Sequence, residues 1–277
     1  MSRLSIPNDV KQFLKGYPNN ELIDADTHHL NLKFYSNETR FLPDGLLIEE
    51  FLDSWKGKYE ELEYRHDFIQ WLFPIPEQGN SHPLTTHEIK EITSSPDPAL
   101  LVRVKRASHP LTTHEIKEIT SSPDPALLVR VKRAYELMLD FYGMKLLDTK
   151  SGLIGRKDHG WEERYRHLQL VASAHNNLRI TRILKCLSIL SYPHYAAPFV
   201  LHVLNEQSEH GLLNTLVIQD SLDRWWANCN RNEQERETVG AIVARIRDRT
   251  NKWTFTRAMY EQMIHAREAE NTLALPN

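Results

Sequence analysis

"SHPLTTHEIKEITSSPDPALLVRVKRA" runs from Ser81 to Ala107, and the same twenty-seven residues follow at once from Ser108 to Ala134. Each copy opens with a capping box, Thr85-x-x-Glu88 in the first and Thr112-x-x-Glu115 in the second. The Thr hydroxyl takes the amide of the third helical residue, and the Glu reaches back to the Thr amide. Leu84 with Ile89, and Leu111 with Ile116, stand where a hydrophobic staple would hold the chain entering the helix. SSPDP then turns the chain, with Asp97 and Asp124 as N-caps and Pro98 and Pro125 at the first helical position. One unit is therefore a short amphipathic helix, a tight turn and the start of a second helix. In the second copy that helix runs on as PALLVRVKRAYELMLDFYG, with Leu128, Val131, Tyr135, Met138 and Tyr142 on one face and Gly143 as its stop. In the first copy Pro110 ends it.

Solenoids repeat at such periods, but with three or more diverged units and altered caps. Two identical units in an otherwise non-repetitive chain read instead as a tandem duplication of one helical hairpin. Only the second copy can complete the helix that ends at Gly143. If it also supplies the first helix, the PIPEQGNSHPL connection grows from 11 to 38 residues. If the first copy supplies it, SSPDP grows from 5 to 32. Loop closure makes these cost about 1.1 and about 1.6 kcal/mol, so the second copy is favoured in the parent position. The first copy still carries Ile89, Ile92, Leu100, Leu101, Val102 and Val104, which will seek cover. It is expected to lie on the parent domain as a helical excursion, or to exchange with a second chain in a domain-swapped homo-oligomer.

Outward from the repeat, helical spacing dominates. PDGLLIEEFLDSW places Leu46, Leu47, Phe51, Leu52 and Trp55 on a helix, and KYEELEYRHDFIQWLFP continues in the same style to Pro74. Residues 146–156 are short and glycine-containing, in the manner of a hairpin or irregular loop. Helices resume at WEERYRHLQLVASA, HNNLRITRILKCLSIL, YPHYAAPFVLHVLNEQ and SLDRWWANC, and two more fill the tail. Few strand signals remain. The predicted fold is all-α, a single irregular multi-helix domain with an inserted duplicate hairpin. A lead-in at 1–30, a helical domain at 31–230 and C-terminal helices packed on it at 231–277 are the expected divisions.

With 34 Lys and Arg against 37 Asp and Glu, the charge balance argues against nucleic acid as partner. Two cysteines, no apolar leader in MSRLSIPNDVKQFLKGYP and no long apolar run point to a soluble protein of the cytoplasm or nucleus, without a membrane span. His28-His29, His82-x4-His87 and His109-x4-His114 lack convergent Cys or carboxylate ligands, so they read as solvated or capping histidines and no metal is expected. The carboxylates of LIEEFLD and YEELE read as the wet faces of helices. GxSxG, Walker and GxGxxG patterns are absent, so neither a cofactor nor an enzyme is expected.

The most chemically crowded stretch is HNNLRITRILK, from His175 to Lys185. Asn176 or Asn177 is placed to cap a helix whose apolar side is Leu178, Ile180, Ile183 and Leu184. Arg179, Arg182 and Lys185 recur every three residues along its polar side. That side suits either gripping a carboxylate or phosphate near the helix start, or pairing with acidic residues of neighbouring helices.

NLKFYSN, PDGLLIEEFLDSWKGKYEELEYRHDFIQWLFP, LTTHEIKEI, RAYELMLDFYGMKL and WEERYRHLQLVASAHNNLRITRILKCLSIL together resemble the conserved N-terminal domain of the opioid growth factor receptor family. A weaker likeness runs through YAAPFVLHVLNE and SLDRWW. The family pattern has LTTHEIKEI once, so the second copy is a departure from it. The resemblance implies a helical, non-enzymatic binding domain; animal members are perinuclear or nuclear receptors for a short enkephalin peptide. Peptide binding follows from that kinship; charge alone then places the expected ligand-binding residues, with Trp71 as an apolar wall, Arg179 and Arg182 toward a peptide carboxylate, Glu49 or Glu63 toward a peptide amine, and His175, Asn176 and Asn177 beside the arginines. A protein–protein scaffold with no peptide ligand is the alternative. The C-terminal repeats of some animal members are not expected in this chain.

Overall fold

The computed structural model describes residues 5–17, 29–41, 45–76, 110–169, 173–248 and 250–276. The expectations for 81–107, the excursion or the exchanged segment, lie outside them. Thirteen α-helices and one two-stranded hairpin are formed among the described residues, in keeping with the all-α expectation. None of these helices is long and apolar enough to cross a membrane. Two compact units divide the chain, residues 17–134 and residues 1–16 with 135–277.

In the unit of residues 17–134, aromatic rings make the core. Helices α2 (Leu30–Tyr35), α3 (Ile48–Ser54), α4 (Tyr59–Tyr64) and α5 (Phe68–Leu72) are short, six, seven, six and five residues. Helices of that length gain little from propensity and stand by what they bury. Phe51 stacks on Trp55 at 4.4 Å and meets Phe41 edge-on at 5.3 Å, and Phe34 meets Trp71 edge-on at 5.2 Å. The helix predicted to run on from Lys58 to Phe73 is instead broken at Arg65 into α4 and α5. Arg65 is extended, with ψ 136°, and its guanidinium lies 2.9 Å from the Asp67 carboxylate.

The second copy is packed into this unit. Helix α6 (Thr113–Ser121) has the predicted capping box: Thr112 Oγ1 accepts from the Glu115 amide at 3.0 Å, and Glu115 accepts from the Thr112 amide at 3.1 Å. Glu115 does more than cap its own helix. Its buried carboxylate also accepts from the Asn31 amide at 2.9 Å, the Asn31 side chain at 3.1 Å and the Leu32 amide at 3.3 Å. Those two amides belong to the first turn of α2, whose donors have no intrahelical partner. One carboxylate thus closes the N-termini of two helices eighty-odd residues apart in sequence. Helix α7 (Ala126–Phe141) runs unbroken through the VKRA–YELM junction, with Asp124 accepting from the Ala126 amide at 2.9 Å. Beyond it Gly143 takes φ +85°, and a Cβ there would lie 2.9 Å from the Cβ of Arg164, so only glycine fits.

The other unit begins with α1 (Asn8–Leu14), inside the stretch expected as a lead-in; its Val10 and Phe13 are fully buried. Strands β1 (Met144–Leu146) and β2 (Ile154–Arg156) form the hairpin, antiparallel with Lys145 opposite Gly155. Helices α8 (Trp161–Leu168), α9 (His175–Ile189), α10 (Ala196–His210), α11 (Leu216–Arg224), α12 (Glu233–Arg247) and α13 (Arg257–Glu270) follow. In α9 and in α10 twelve of fifteen residues are buried, so both are covered nearly all round. Their polar side chains therefore need partners inside. Glu206 of α10 receives Arg156 through two bonds of 2.8 and 2.6 Å, and His202 pairs with the Tyr165 hydroxyl at 2.9 Å. Lys185 of α9, only 1 % exposed, sits 2.9 Å from Asp9 of α1.

Candidate functional site

Helix α9 was expected to keep Leu178 on its apolar side, and to use its cations either to grip an anion or to pair with acidic residues of neighbouring helices. Lys185 does the second, meeting Asp9 of α1, while Leu178 is turned outward. Arg179 and Lys185 are buried, and Leu178 is 71 % exposed. The reason is coverage on several sides: Lys185 meets α1, Ser188 donates to the Cys229 carbonyl at 2.7 Å, and the Trp226 indole donates to the Asn177 carbonyl at 3.1 Å. Neither asparagine caps the helix, which begins at His175 with no side-chain cap; Asn176 and Asn177 lie buried in its first turn. Asn176 Oδ1 instead accepts from Arg179 at 3.0 Å.

Leu178 and Thr181, one turn apart, share a face of α9, and that face lines an open cleft of about 340 Å³. Opposite stands α11. Thr215 caps it, accepting from the Ile218 amide at 3.4 Å. Ile218 and Leu222, at i and i+4, form its buried stripe. Leu216, Val217, Asp220 and Ser221 fall off that stripe and, with Trp225, complete the cleft. Leu216 is 78 % and Val217 48 % exposed, so the wall is apolar and open to water.

Of the four polar residues in this lining, Asn177 and Asp220 offer the most to a ligand. The Asn177 backbone is fixed by the Thr181 hydroxyl at 2.9 Å and by Trp226, while its buried Oδ1 meets no donor among the described residues. Asp220 lies 3.6 Å from Arg224, whose guanidinium rests 4.7 Å above the Trp225 ring. The cleft can bury apolar side chains, accept one hydrogen bond at Asn177 and attract a cation at Asp220.

The other expected site residues are placed differently. Trp71 is 6 % exposed and packs on Phe34, so it offers no open wall. Glu49 is held by Arg130 at 2.7 Å and by Arg133. Burial alone would raise its carboxyl, but hydrogen bonds and charge from the two arginines outweigh that and hold it below the usual range. Glu63 is half-buried on α4. Glu49, Glu63 and Trp71 belong to the unit of residues 17–134, and His175, Asn176, Asn177, Arg179 and Arg182 to the other. Of the eight, Asn177 alone lines the cleft. Leu216, Val217, Asp220 and Trp225 were missed from the sequence, although their signal was present: apolar residues immediately after a Thr cap, outside the Ile218/Leu222 stripe.

Burial pushes the Cys186 thiol up, away from the reactive thiolate. Among the described residues, no three His, Cys, Asp or Glu side chains converge as a metal site.

Residues 24–104 and 101–262 match the family model described as the Opioid growth factor receptor conserved region. The chain is 39 % identical to mouse (Mus musculus) opioid growth factor receptor-like protein 1 over 201 residues, 72 % of this chain and 36 % of that protein. It is 38 % identical to human (Homo sapiens) opioid growth factor receptor over 234 residues, 83 % of this chain and 30 % of that protein. A Xenopus tropicalis receptor-like protein 1 is 39 % identical over 202 residues, 72 % of this chain and 33 % of that protein. The chain spans about a third of the length of the curated relatives it matches. No solved structure matches it.

Proposed function

The chain belongs to the opioid growth factor receptor family, and from that premise we propose that it is a non-enzymatic binding domain holding a short peptide in the cleft between α9 and α11. Kinship supplies the class of ligand. The place rests on one observation: Leu178 stands 71 % exposed on a helix otherwise buried nearly all round, in a cleft it shares with Leu216, Val217 and Trp225. An aromatic or aliphatic peptide side chain would lie on that wall, a peptide N–H would meet Asn177 Oδ1, and a free amine would turn toward Asp220. The near-balanced charge agrees with a peptide rather than a nucleic acid. The cytoplasm or nucleus is the compartment this reading assigns.

Calorimetric titration of a short enkephalin peptide into the full chain tests it. Saturable binding is expected, weakened at least about tenfold by Leu178→Asp, equivalent to about 1.4 kcal/mol. Equal affinity in a folded L178D chain would overturn the site. Silence in the titration, together with a single stable protein partner whose capture L178D abolishes, would move the reading to the interaction scaffold.

A further inference from the structure

A second cavity of about 340 Å³ lies where the tip of the β1–β2 hairpin, the turn before α10 and the ends of α12 and α13 meet. Arg267 of α13 anchors it and is 8 % exposed. Its Nη2 donates to the His194 carbonyl at 2.7 Å and to the Ser151 carbonyl at 3.4 Å, and its Nε faces Glu235 at 3.6 Å. Its Nη1 meets no acceptor among the described residues. A buried guanidinium donor without an acceptor is costly, and the residue lines an opening large enough to admit one.

Charge on the walls narrows what that acceptor can belong to. Arg267 and Lys150 are matched by Glu235 and Glu268, with Lys150 paired to Glu268 at the rim. Burial, and then the nearby Arg267, lower the His194 pKa and so favour its neutral form. A bare anion would leave the lining one charge in excess and would meet two carboxylates. A compact molecule with a carboxylate at one end and an ammonium at the other leaves it balanced. Each carboxylate can accept several hydrogen bonds, so the glutamates have capacity beyond their present partners. The Asn230 amide, already donating to Glu235, fixes that carboxylate in place.

We propose that this cavity is a binding site for a small zwitterion of the α-amino acid class, its carboxylate on Arg267 Nη1 and its ammonium toward Glu268 and Glu235. Arg267, Glu268 and Asn271 lie beyond residue 262, where the match to the family model ends. The site is thus separate from the peptide cleft and does not depend on it.

Side-chain amide signals of Asn230, Asn232 and Asn271, followed by nuclear magnetic resonance in the full chain, supply the readout. Glycine is expected to shift them saturably in the millimolar range, with acetate and inorganic phosphate at least about tenfold weaker. Arg267→Lys keeps the charge but loses the planar fork, and should weaken glycine by a similar factor. Should that variant fail to fold, Glu268→Gln, at an exposed position, is expected to abolish the preference for glycine over acetate. Phosphate or acetate binding as well as glycine, no saturation with any of the three, or an unchanged preference in the folded E268Q chain would each overturn the assignment.

Discussion

Rings hold the unit of residues 17–134 together, whereas buried polar pairs thread the unit that carries α8 to α13. In the first, Phe34, Phe41, Phe51, Trp55, Phe68 and Trp71 form one aromatic cluster, and its cations lie at the margin, as with Arg133 between Glu49 and Asp53. In the second, Lys185, His202, Glu206 and Arg267 are all buried, and each is met by named partners. The two cores fail differently. Truncating a ring leaves a hole of fixed size. Removing a polar partner strands a charge that must then be desolvated without compensation.

The largest expected effect breaks the aromatic side. Phe51→Ala removes a ring that touches Phe41, Trp55 and Phe68 and should cost about 4 kcal/mol in urea unfolding. A loss under about 1 kcal/mol would mean that the cluster collapses to fill the hole, and the contrast would dissolve.

Acid sharpens the polar side. Burial, with the positive charge of Arg257 and Arg156 adding, pulls His202 down from 6.5 to about 3. Its folded pKa lies below its unfolded one, so the stabilisation is complete above pH 6.5 and is lost as pH falls toward 3. The loss should run at about 1.4 kcal/mol per unit, or about 3 kcal/mol by pH 4. Replacing His202 by Asn should flatten that slope in acid titration. An unchanged slope would assign the acid sensitivity to other groups.

Next come the two ends of one ion pair. Asp9→Ala leaves the 1 %-exposed ammonium of Lys185 without this carboxylate and should cost about 2 kcal/mol. Lys185→Met removes the charge itself and should cost less than half of that in the same thermal unfolding series. Equal losses would show that the attraction within the pair, not the stranding of a buried charge, carries the cost. The smallest effect belongs to the half-exposed pair in the aromatic unit. Glu49→Gln should cost about 0.5 to 1 kcal/mol, and high salt should erase most of it.

The contrast also explains which parts were legible in the sequence. Aromatic and aliphatic spacing predicted α3, and the Thr112/Glu115 box and Asp124 predicted where α6 and α7 begin. These are local signals, settled within four residues of chain. The face of α9 was half legible: pairing of its cations with acidic residues of neighbouring helices was one of the two readings, but the pattern that placed Leu178 inside assumes a helix with one wet side. This helix has almost none, and Asp9, which receives Lys185, is 176 residues away in sequence. Glu115 was read as half of a box, and its bonds to Asn31 and Leu32 needed the fold to appear. The cleft was half legible: Asn177 was named, but Leu178 was assigned to the interior and Leu216 was passed over.

The twin of Glu115 has a consequence of its own. Glu88 stands in an identical LTTHEIKEI, twenty-seven residues upstream. A lesion that removes the double cap at Glu115 therefore leaves an undamaged spare in the same molecule, differing only by about 0.5 kcal/mol of loop closure. The redundancy stops at the turn, since α7 continues without interruption into Tyr135–Phe141 and no other segment can be spliced to them. Mutational tolerance should consequently be high from Leu111 to Thr120 and should fall abruptly at Ala126.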